Sequence, residues 1–427
     1  MVRPKYVNGE SPSTDRLYRN DGKRHFTNVS REEGINIEGY GLGVAVSDLN
    51  ADGWPDIYVA NDFLSNDLVW INQHDGAGRH TGFRNRAGDF LKHTSWNGMG
   101  MDVADINNDA RPDVLVVDML PESSPRQKQM MMKLNVDLFQ LLKTMNYETQ
   151  QVRNTLQLNN GNVPGSGNVP GVSFSEIGQL AGIEKTDWSW SPLFADFDND
   201  GHRDLLITNG YRREVNNLDY IAKLNEASPF GDLGSQGLEQ RAKAQNLADL
   251  KKLPNLKMRS YLYQNRGDLT FADRSADWGI NEATYSNGAA YADLDNDGDL
   301  DLVINNMDEE AGVYQNNLYA PDKATKPTAH FLRFRLLGDA TGRYARDATV
   351  TLTLPDGSLR WQENSPVRGF VLSVEPIVHL GLGNYTTVPT TTIKWSNGQV
   401  QTLRNLRSDQ MLTVAYRPDT PQPSPVA

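Results

Sequence analysis

The sequence predicts an all-β protein: a partial β-propeller with helical insertions, followed by a small β-sandwich-like domain. Two observations lead to this prediction. An acidic nine-residue loop occurs four times, and short apolar runs typical of buried strands flank each copy. About four strands accompany each loop, and repeated four-stranded units are the pattern of propeller blades. Loops 1 to 4 are defined as residues 48–56, 105–113, 196–204 and 293–301.

A longer repeat surrounds these loops. A phenylalanine stands 22 residues before the first residue of every loop, at Phe26, Phe83, Phe174 and Phe271. A short strand-like run ending in asparagine precedes each phenylalanine, and a fifth such run follows loop 4. Glycine or serine lies five and seven residues before each loop, which suits the crowded innermost strand of a blade. The sequence therefore predicts four blades that each carry a metal loop.

The prediction divides the chain into four parts. Residues 1–16 are a disordered or truncated start, residues 17–325 form the blades, residues 329–416 form the small β domain, and residues 417–427 are a proline-rich tail. Two blades carry insertions with helical patterns, at about residues 121–155 and 211–258. The methionine-rich apolar face of the first insertion fits either packing on the sheet or a groove for a partner.

The loops have the ligand pattern of a calcium site. Positions 1, 3, 5 and 9 carry side-chain oxygens, position 7 would offer its backbone carbonyl, and glycine at position 6 in three copies allows a positive φ. Oxygen ligands at alternating positions of a tight loop suit a hard cation such as calcium. The predicted ligands are Asp48, Asn50, Asp52, Trp54, Asp56, Asp105, Asn107, Asp109, Arg111, Asp113, Asp196, Asp198, Asp200, His202, Asp204, Asp293, Asp295, Asp297, Asp299 and Asp301.

Two other interpretations of the loops were weighed. An EF-hand requires glutamate at position 12, where this chain has Val59, Val116, Ile207 and Ile304, so that interpretation fails. An acidic turn without metal remains open, since Asp, Asn and Gly favour turns in any case. Four copies of closely spaced carboxylates favour a cation, because the carboxylates repel one another. We therefore expect about four calcium ions, with loop 2 the weakest site because Ala110 replaces the glycine.

Composition and charge restrict the function further. The net charge is −12, but fourteen carboxylates occupy the side-chain ligand positions 1, 3, 5 and 9, so the acidity gives no evidence for a cationic partner. No clustered basic patch points to nucleic acid, and the absence of cysteine excludes disulfides, thiol catalysis and zinc–thiolate sites. No apolar run approaches membrane-spanning length, and the start has no signal-peptide core. Either the protein is cytoplasmic or the chain lacks its true N-terminus.

These loops resemble the FG-GAP/VCBS repeats of the integrin α-chain propeller and of many bacterial surface proteins. The C-terminal part is similar to the ASPIC/UnbV domain, with matching stretches at residues 368–370, 379–383 and 394–398. Together the two parts cover about residues 17–416, in the order seen in bacterial relatives of cartilage acidic protein. The resemblance implies a secreted or surface-attached calcium-binding propeller of about seven blades, with no established catalytic activity. The chain departs from the family pattern at Ala110 and at residues 344–347, where the domain usually has a glycine-rich turn.

Three functions are compatible with the sequence. The first is a calcium-stabilised extracellular or cell-surface scaffold that binds a glycan or protein ligand. The second is a purely architectural module of a larger surface assembly. The third, a calcium-dependent polysaccharide hydrolase or lyase, is disfavoured because every notable Asp is already a predicted metal ligand and no catalytic residue emerges.

Overall fold

The structure of the protein is a computed structural model. It describes residues 5–130, 136–162, 172–219, 255–319, 328–340 and 345–417, together with residues 251, 253 and 342. The second predicted insertion, at about residues 211–258, lies largely outside the described residues. The tail at residues 418–427 and Tyr344 of the departing turn also lie outside them.

Consecutive antiparallel sheets form the blades, and a hairpin of β1 (Tyr18–Asn20) and β2 (Phe26–Asn28) precedes the first one. In each blade the acidic loop joins the first strand to the second. The first blade comprises β3 (Gly41–Ser47), β4 (Asp56–Asn61), β5 (Leu68–His74) and β6 (His80–Asn85), and α1 (Ala87–Phe90) and β7 (Thr94–Ser95) follow it.

The second blade contains the first insertion. It begins with β8 (Met101–Ala104) and β9 (Asp113–Val116), continues through the inserted α2 (Ser124–Met130), α3 (Val136–Thr144) and β10 (Gln150–Gln151), and ends with β11 (Thr155–Asn162), β12 (Val172–Glu176) and α4 (Gly178–Ala181). The insertion is thus helical, as the sequence predicts. Leu142 and Tyr147 bury against Trp96 of the segment that precedes β8, so part of the apolar face packs on the blade.

The third blade is also four-stranded, whereas the fourth has three strands in the described residues. The third comprises β13 (Ser189–Ala195), β14 (Asp204–Asn209), β16 (Tyr261–Asn265) and β17 (Phe271–Asp273), with β15 (Met258–Arg259) and β18 (Ala283–Thr284) paired beside it. The fourth comprises β19 (Ser286–Ala292), β20 (Asp301–Asn306) and β21 (Gly312–Tyr314).

Neighbouring blades pack face to face around a row of inner strands. One buried apolar cluster lies between each successive pair of blades, and β3, β8, β13 and β19 contact one another in order. A Cβ added at Gly43 would lie 2.8 Å from the Met99 carbonyl oxygen, and one at Gly100 would overlap the Trp190 carbonyl oxygen. The small residues before the loops therefore allow the inner strands to approach closely, as the sequence predicts.

Two packed sheets form the C-terminal domain, with a buried apolar core between them. One sheet has the order β27-β22-β30 and the other β24-β23-β28-β29, and β22 pairs in parallel with β30. The strands are β22 (His330–Leu337), β23 (Thr349–Thr353), β24 (Leu359–Glu363), β25 (Val367–Arg368), β26 (Leu372–Ser373), β27 (Val378–Gly383), β28 (Thr387–Lys394), β29 (Val400–Arg407) and β30 (Gln410–Ala415). The predicted all-β, sandwich-like architecture is confirmed.

The hairpin of β25 and β26, here called the central hairpin (residues 367–373), lies on the inner strands of the blades. The Arg368 guanidinium donates to both carboxylate oxygens of Asp102 on β8, each at 2.7 Å, and to the Tyr291 hydroxyl on β19 at 2.6 Å. Burial raises the pKa of Asp102, and the charge of Arg368 opposes that rise. The C-terminal domain is therefore attached to the blades by a buried, bidentate ion pair.

The start of the chain contacts the first blade. Residues 5–16 hydrogen-bond to this blade and to the segment that precedes it. The Lys5 ammonium donates to Asn66 Oδ1 at 2.8 Å, and the Gly9 N–H donates to the Asn36 carbonyl at 2.8 Å. No helix in the described residues has the length and hydrophobicity needed to cross a membrane.

Candidate metal centre

All four loops share one backbone conformation. Position 4 has a positive φ in every copy, at 58° for Ala51, 61° for Asn108, 58° for Asn199 and 61° for Asn296. Position 6 also has a positive φ, at 93° for Gly53, 91° for Gly201 and 101° for Gly298. Ala110 adopts a φ of 62° at this position, so loop 2 keeps the fold of the other loops despite the cost of a side chain there.

The carboxylate at position 1 holds this fold together. In each loop its Oδ2 accepts the N–H of position 6, for example from Gly53 to Asp48 at 2.8 Å and from Gly201 to Asp196 at 2.8 Å. The carboxylate at position 5 accepts the N–H of position 7, as in the bond of 2.7 Å from His202 to Asp200. These bonds turn the position 7 amide inward, which explains why residues as different as Trp, Arg, His and Asp are accommodated there.

The carboxylate at position 9 connects the loop to the third strand of the blade. One oxygen of Asp204 accepts the N–H of Phe197 at 3.0 Å, and the other accepts the N–H of Asn265 at 3.0 Å. The same two bonds recur at Asp56, Asp113 and Asp301. Position 9 thus has a structural role in every blade in addition to its predicted role as a ligand.

Loop 3 fits a bound cation. Asp196, Asp198 and Asp204 each bring one carboxylate oxygen into a group whose members lie within 4.8 Å of one another. Asp196 is only 1% exposed, and its Oδ1 has no hydrogen-bond partner among the described residues. A buried carboxylate oxygen without a partner is costly, and a cation coordinated by this oxygen would remove the cost.

The electrostatics of loop 3 agree with this fit. Burial raises the pKa of Asp196 well above its usual range, and the neighbouring charges of Asp200 and Asp198 raise it further. Burial and the charge of Asp198 raise the pKa of Asp200 to about 6. Such pKa values mark carboxylates whose ionised form lacks compensation, and a divalent cation would supply that compensation.

Loop 4 has a second acidic group but a different neighbour. Oxygens of Asp293, Asp295 and Asp297 lie within 4.8 Å of one another. The guanidinium of Arg333, on β22 of the C-terminal domain, donates to Asp293 Oδ2 and also to Glu375. The Asp293 and Arg333 side chains are 2% and 4% exposed, respectively. An arginine of the chain therefore already pairs with the position 1 carboxylate of this loop.

Loops 1 and 2 carry asparagine at position 3. The Asn50 and Asn107 amides donate to Asp52 and Asp109 at 2.9 and 2.8 Å, respectively. Asn107 Oδ1 is buried and has no partner in the described part of the chain, so it remains available as a ligand. Arg111 donates to Asp109 from position 7 of the same loop. These loops thus hold fewer carboxylates and more donors than loops 3 and 4.

A glutamine accompanies the aspartate at position 3. The Gln264 amide donates to Asp198 Oδ2 at 2.7 Å, and the Gln315 amide donates to Asp295 Oδ2 at 2.7 Å. In the blades of loops 1 and 2, where position 3 is asparagine, the equivalent residues are Ile71 and Leu158. The glutamine therefore occurs where there is a carboxylate for it to orient.

The structure places the twenty predicted ligands in four separate loops at the same end of the inner strands. At position 7, Trp54 stacks on His74 with ring centroids 5.8 Å apart, and His202 contacts Asn108 of the neighbouring loop at 3.2 Å. Sequence reasoning gave no role to Gln264, Gln315 or Arg333. The glutamines were detectable as the residues that precede the strand-ending asparagines, whereas no local signal marks Arg333.

Two family models match parts of the chain. A family model described as FG-GAP-like repeat matches residues 6–59, 48–116 and 255–304, and a model described as ASPIC and UnbV matches residues 338–421. No curated protein matches the chain. A crystal structure of a protein from Lactobacillus plantarum aligns over 95% of this chain and 97% of its own length, with 10% identity and a TM-score of 0.30.

The repeats and the blades define an all-β repeat protein with a propeller-like fold. The chain contains FG-GAP-like repeats and a C-terminal ASPIC and UnbV domain. Loops 1, 2 and 4 lie within the ranges matched by the repeat model, and loop 3 has the same backbone conformation.

Proposed function

We propose that the protein is a calcium-binding scaffold of the cell surface or the extracellular space. In this proposal the calcium ions have a structural role, and the scaffold binds a glycan or protein ligand. The observation that carries the calcium assignment is loop 3, where three acidic ligand oxygens converge and the buried Oδ1 of Asp196 has no hydrogen-bond partner in the described part of the chain. The surface location and the ligand class rest on the family resemblance alone.

The position of the C-terminal domain supports a structural role for the ions. A Cβ added at Gly381 on β27 would overlap Asp196 Oδ2, and the His379 ring shares a hydrogen bond of 2.7 Å with Asn199 of loop 3. The Gly383 N–H donates to the Asn199 carbonyl at 2.9 Å. An ion in loop 3 would therefore lie between the blades and the C-terminal domain, where it stabilises their contact and is shielded from a ligand.

A second candidate is a purely architectural module, and the central hairpin favours it. Arg368 and Phe370 occupy the surface of the inner strands, with the Phe370 ring 5.0 Å from the Trp190 ring. This surface is where a ligand of a propeller would otherwise approach the inner strands. In either case we propose that the protein is not an enzyme, because the acidic side chains of the loops are engaged in holding the loops.

Calorimetric titration of the chelator-treated protein tests the calcium assignment. We expect heat of calcium binding with dissociation constants of about 10⁻⁴ to 10⁻³ M, the range of extracellular modules, and much weaker binding of magnesium. Asp198→Asn/Asp200→Asn serves as the matched variant, because it removes two carboxylates without changing side-chain volume. Absence of calcium heat at millimolar concentration would refute the assignment.

Ligand binding requires a separate experiment. The calcium-loaded protein is applied to a glycan array and, in parallel, screened for polysaccharide cleavage. Binding without cleavage supports the scaffold, and cleavage refutes the non-enzymatic assignment. If neither binding nor cleavage is observed, the architectural module is favoured. Repeating the array after chelation separates ligand binding that depends on the ions directly from binding that depends only on an intact fold.

A further inference from the structure

Amide side chains connect each loop to the loop of the neighbouring blade. The Asn159 amide, in the third strand β11 of the second blade, donates to the Leu49 carbonyl of loop 1 at 3.0 Å. The Asn265 amide donates in the same way to Ile106 of loop 2 at 2.9 Å. The Asn316 amide closes the series with a bond of 2.8 Å to Phe197 of loop 3.

A second set of bonds runs in the opposite direction. The Asn108 amide, at position 4 of loop 2, donates to the Gly201 carbonyl of loop 3 at 3.0 Å. The Asn199 amide, at position 4 of loop 3, donates to the Gly298 carbonyl of loop 4 at 3.1 Å. Loop 1 has Ala51 at this position, which offers no such donor. Both sets of bonds therefore join loops 2 and 3, and likewise loops 3 and 4, whereas in the described residues only the first set joins loops 1 and 2.

These bonds end on the parts of the loop that an ion would order. Position 4 lies between the predicted ligands at positions 3 and 5, and the accepting carbonyl at position 6 immediately precedes the ligand at position 7. An ion that fixes loop 2 also fixes Asn108, and Asn108 holds the Gly201 carbonyl of loop 3 in place. Ordering one loop thus meets part of the entropic cost of ordering the next.

We propose that the position 4 asparagines and the strand-ending asparagines couple calcium binding between neighbouring loops. Coupling is positive between loops 2 and 3 and between loops 3 and 4, and weaker between loops 1 and 2. This inference rests on the proposed calcium function. The expected coupling is about fivefold in calcium affinity, the lower end of the range for allosteric coupling, because each connection consists of one or two hydrogen bonds.

Hydrogen exchange measured by mass spectrometry tests the coupling loop by loop. The readout is the calcium concentration at which the peptide covering loop 2 becomes half protected. The Asp198→Asn/Asp200→Asn variant weakens the ion site of loop 3 and should raise this midpoint about fivefold. In an Asn108→Ala background the same change should raise the midpoint less than about twofold, with Asn265 carrying the remainder. If Asn108 had only a structural role, the effects of Asn108→Ala and of the loop 3 variant on the calcium midpoint of loop 2 would be additive.

Asn296→Ala is the matched control. Asn296 occupies position 4 of loop 4 with the same φ of 61° as Asn108, but within the described residues its amide reaches no other loop. The backbone accepts alanine at such positions, since Ala51 adopts a φ of 58° in loop 1. Asn296→Ala should leave the response of loop 2 to the loss of the loop 3 site unchanged.

Ala51→Asn tests whether coupling between loops 1 and 2 can be strengthened. An asparagine in loop 1 would place an amide where it can reach the position 6 carbonyl of Ala110 in loop 2. Weakening of the loop 2 site by Asp109→Asn should then raise the calcium midpoint of loop 1 more strongly than it does without the added amide.

The possible outcomes separate the coupling from the calcium function. If no loop gains protection from calcium, both are overturned. If the loops gain protection but loop 2 does not respond to the loss of the loop 3 site, only the coupling is overturned. The role of Asn108 is also overturned if the loss of the loop 3 site raises the calcium midpoint of loop 2 equally with and without Asn108→Ala. It is likewise overturned if Asn296→Ala reduces this rise as much as Asn108→Ala does. Loss of the response with Asn108→Ala alone supports it.

Discussion

Loops 3 and 4 carry the same side-chain ligands at positions 1, 3, 5 and 9 and yet form different sites. Both have carboxylates at positions 1, 3, 5 and 9, glycine at position 6, and a glutamine that donates to the position 3 carboxylate at 2.7 Å. In loop 3 the buried Oδ1 of Asp196 has no partner within the residues that the structure describes, whereas in loop 4 the equivalent Asp293 pairs with Arg333. The surroundings of a loop, and not its ligand pattern alone, therefore determine how strongly it needs a cation.

The largest effect is expected from Arg333→Met, which leaves Asp293 buried without its partner. Removal of one member of a buried ion pair typically costs about 3–5 kcal/mol of unfolding free energy. We expect a loss of this size in chelator and a clearly smaller loss in saturating calcium, because the ion would replace the guanidinium. Chemical denaturation under the two conditions measures the difference.

Arg335→Met is the control for this variant, since Arg335 lies two residues along the same strand and is exposed. It should change stability by no more than about 0.5 kcal/mol in either condition. Equal losses for Arg333→Met with and without calcium would show that no ion can take the place of the arginine in loop 4.

The next effect compares the two loops directly through Asp198→Asn and Asp295→Asn. Each change gives position 3 the asparagine that loops 1 and 2 carry naturally. Asp198→Asn should reduce the calcium-dependent gain in unfolding free energy by between about 1 kcal/mol and the roughly 2.7 kcal/mol that a site contributes at a hundred times its Kd. Asp295→Asn should reduce it less, because Arg333 already compensates Asp293.

Differential scanning calorimetry of both variants, in chelator and in calcium, gives the two reductions side by side. Loops 3 and 4 have equal numbers of carboxylates at the side-chain ligand positions, and the contacts of Arg333 separate them. A larger reduction for Asp295→Asn than for Asp198→Asn would reverse that order and would remove the basis of the comparison.

A smaller effect is expected from Ala110→Gly in loop 2. The φ of 62° at Ala110 costs an alanine about 1–2 kcal/mol, which glycine would not incur. The greater freedom of glycine in the unfolded chain offsets part of the stability that the substitution gains. We expect a net stabilisation of roughly 1 kcal/mol and tighter calcium binding by loop 2. Ala45→Gly in β3 is the control and should destabilise the protein, since its backbone is extended there. Destabilisation by Ala110→Gly would contradict the strain argument.

The difference between loops 3 and 4 also shows which features of the site could be predicted from the sequence and which could not. Residue spacing and apolar runs are local, so they predicted the blades, the loops and the sandwich-like domain. The pairing of Gln264 with Asp198 was within reach, because glutamine precedes the strand-ending asparagine only where position 3 is aspartate. The pairing of Arg333 with Asp293 was not, because Arg333 belongs to an ordinary strand pattern in another domain. Its contact depends on how that domain packs on the blades.

The smallest expected effect concerns pH and a carboxylate of loop 3. Burial, followed by the charge of Asp198, raises the pKa of Asp200 from 3.8 to about 6. Between about pH 4 and pH 6 the folded, chelated protein therefore holds a proton that the unfolded chain has lost. Raising the pH through this window should lower the unfolding free energy.

Two changes should flatten this dependence. Asp198→Asn removes the neighbouring charge and so brings the pKa of Asp200 closer to its ordinary value. Saturating calcium stabilises the ionised carboxylates of loop 3, which removes the advantage of the protonated form. Urea denaturation of the wild type and of Asp198→Asn at several pH values, each in chelator and in calcium, measures the slopes. A chelated wild type whose stability rises between pH 4 and pH 6 would mean that other groups outweigh the carboxylates of loop 3. A slope unchanged by calcium would mean that the ion does not bind where Asp196 and Asp200 lie.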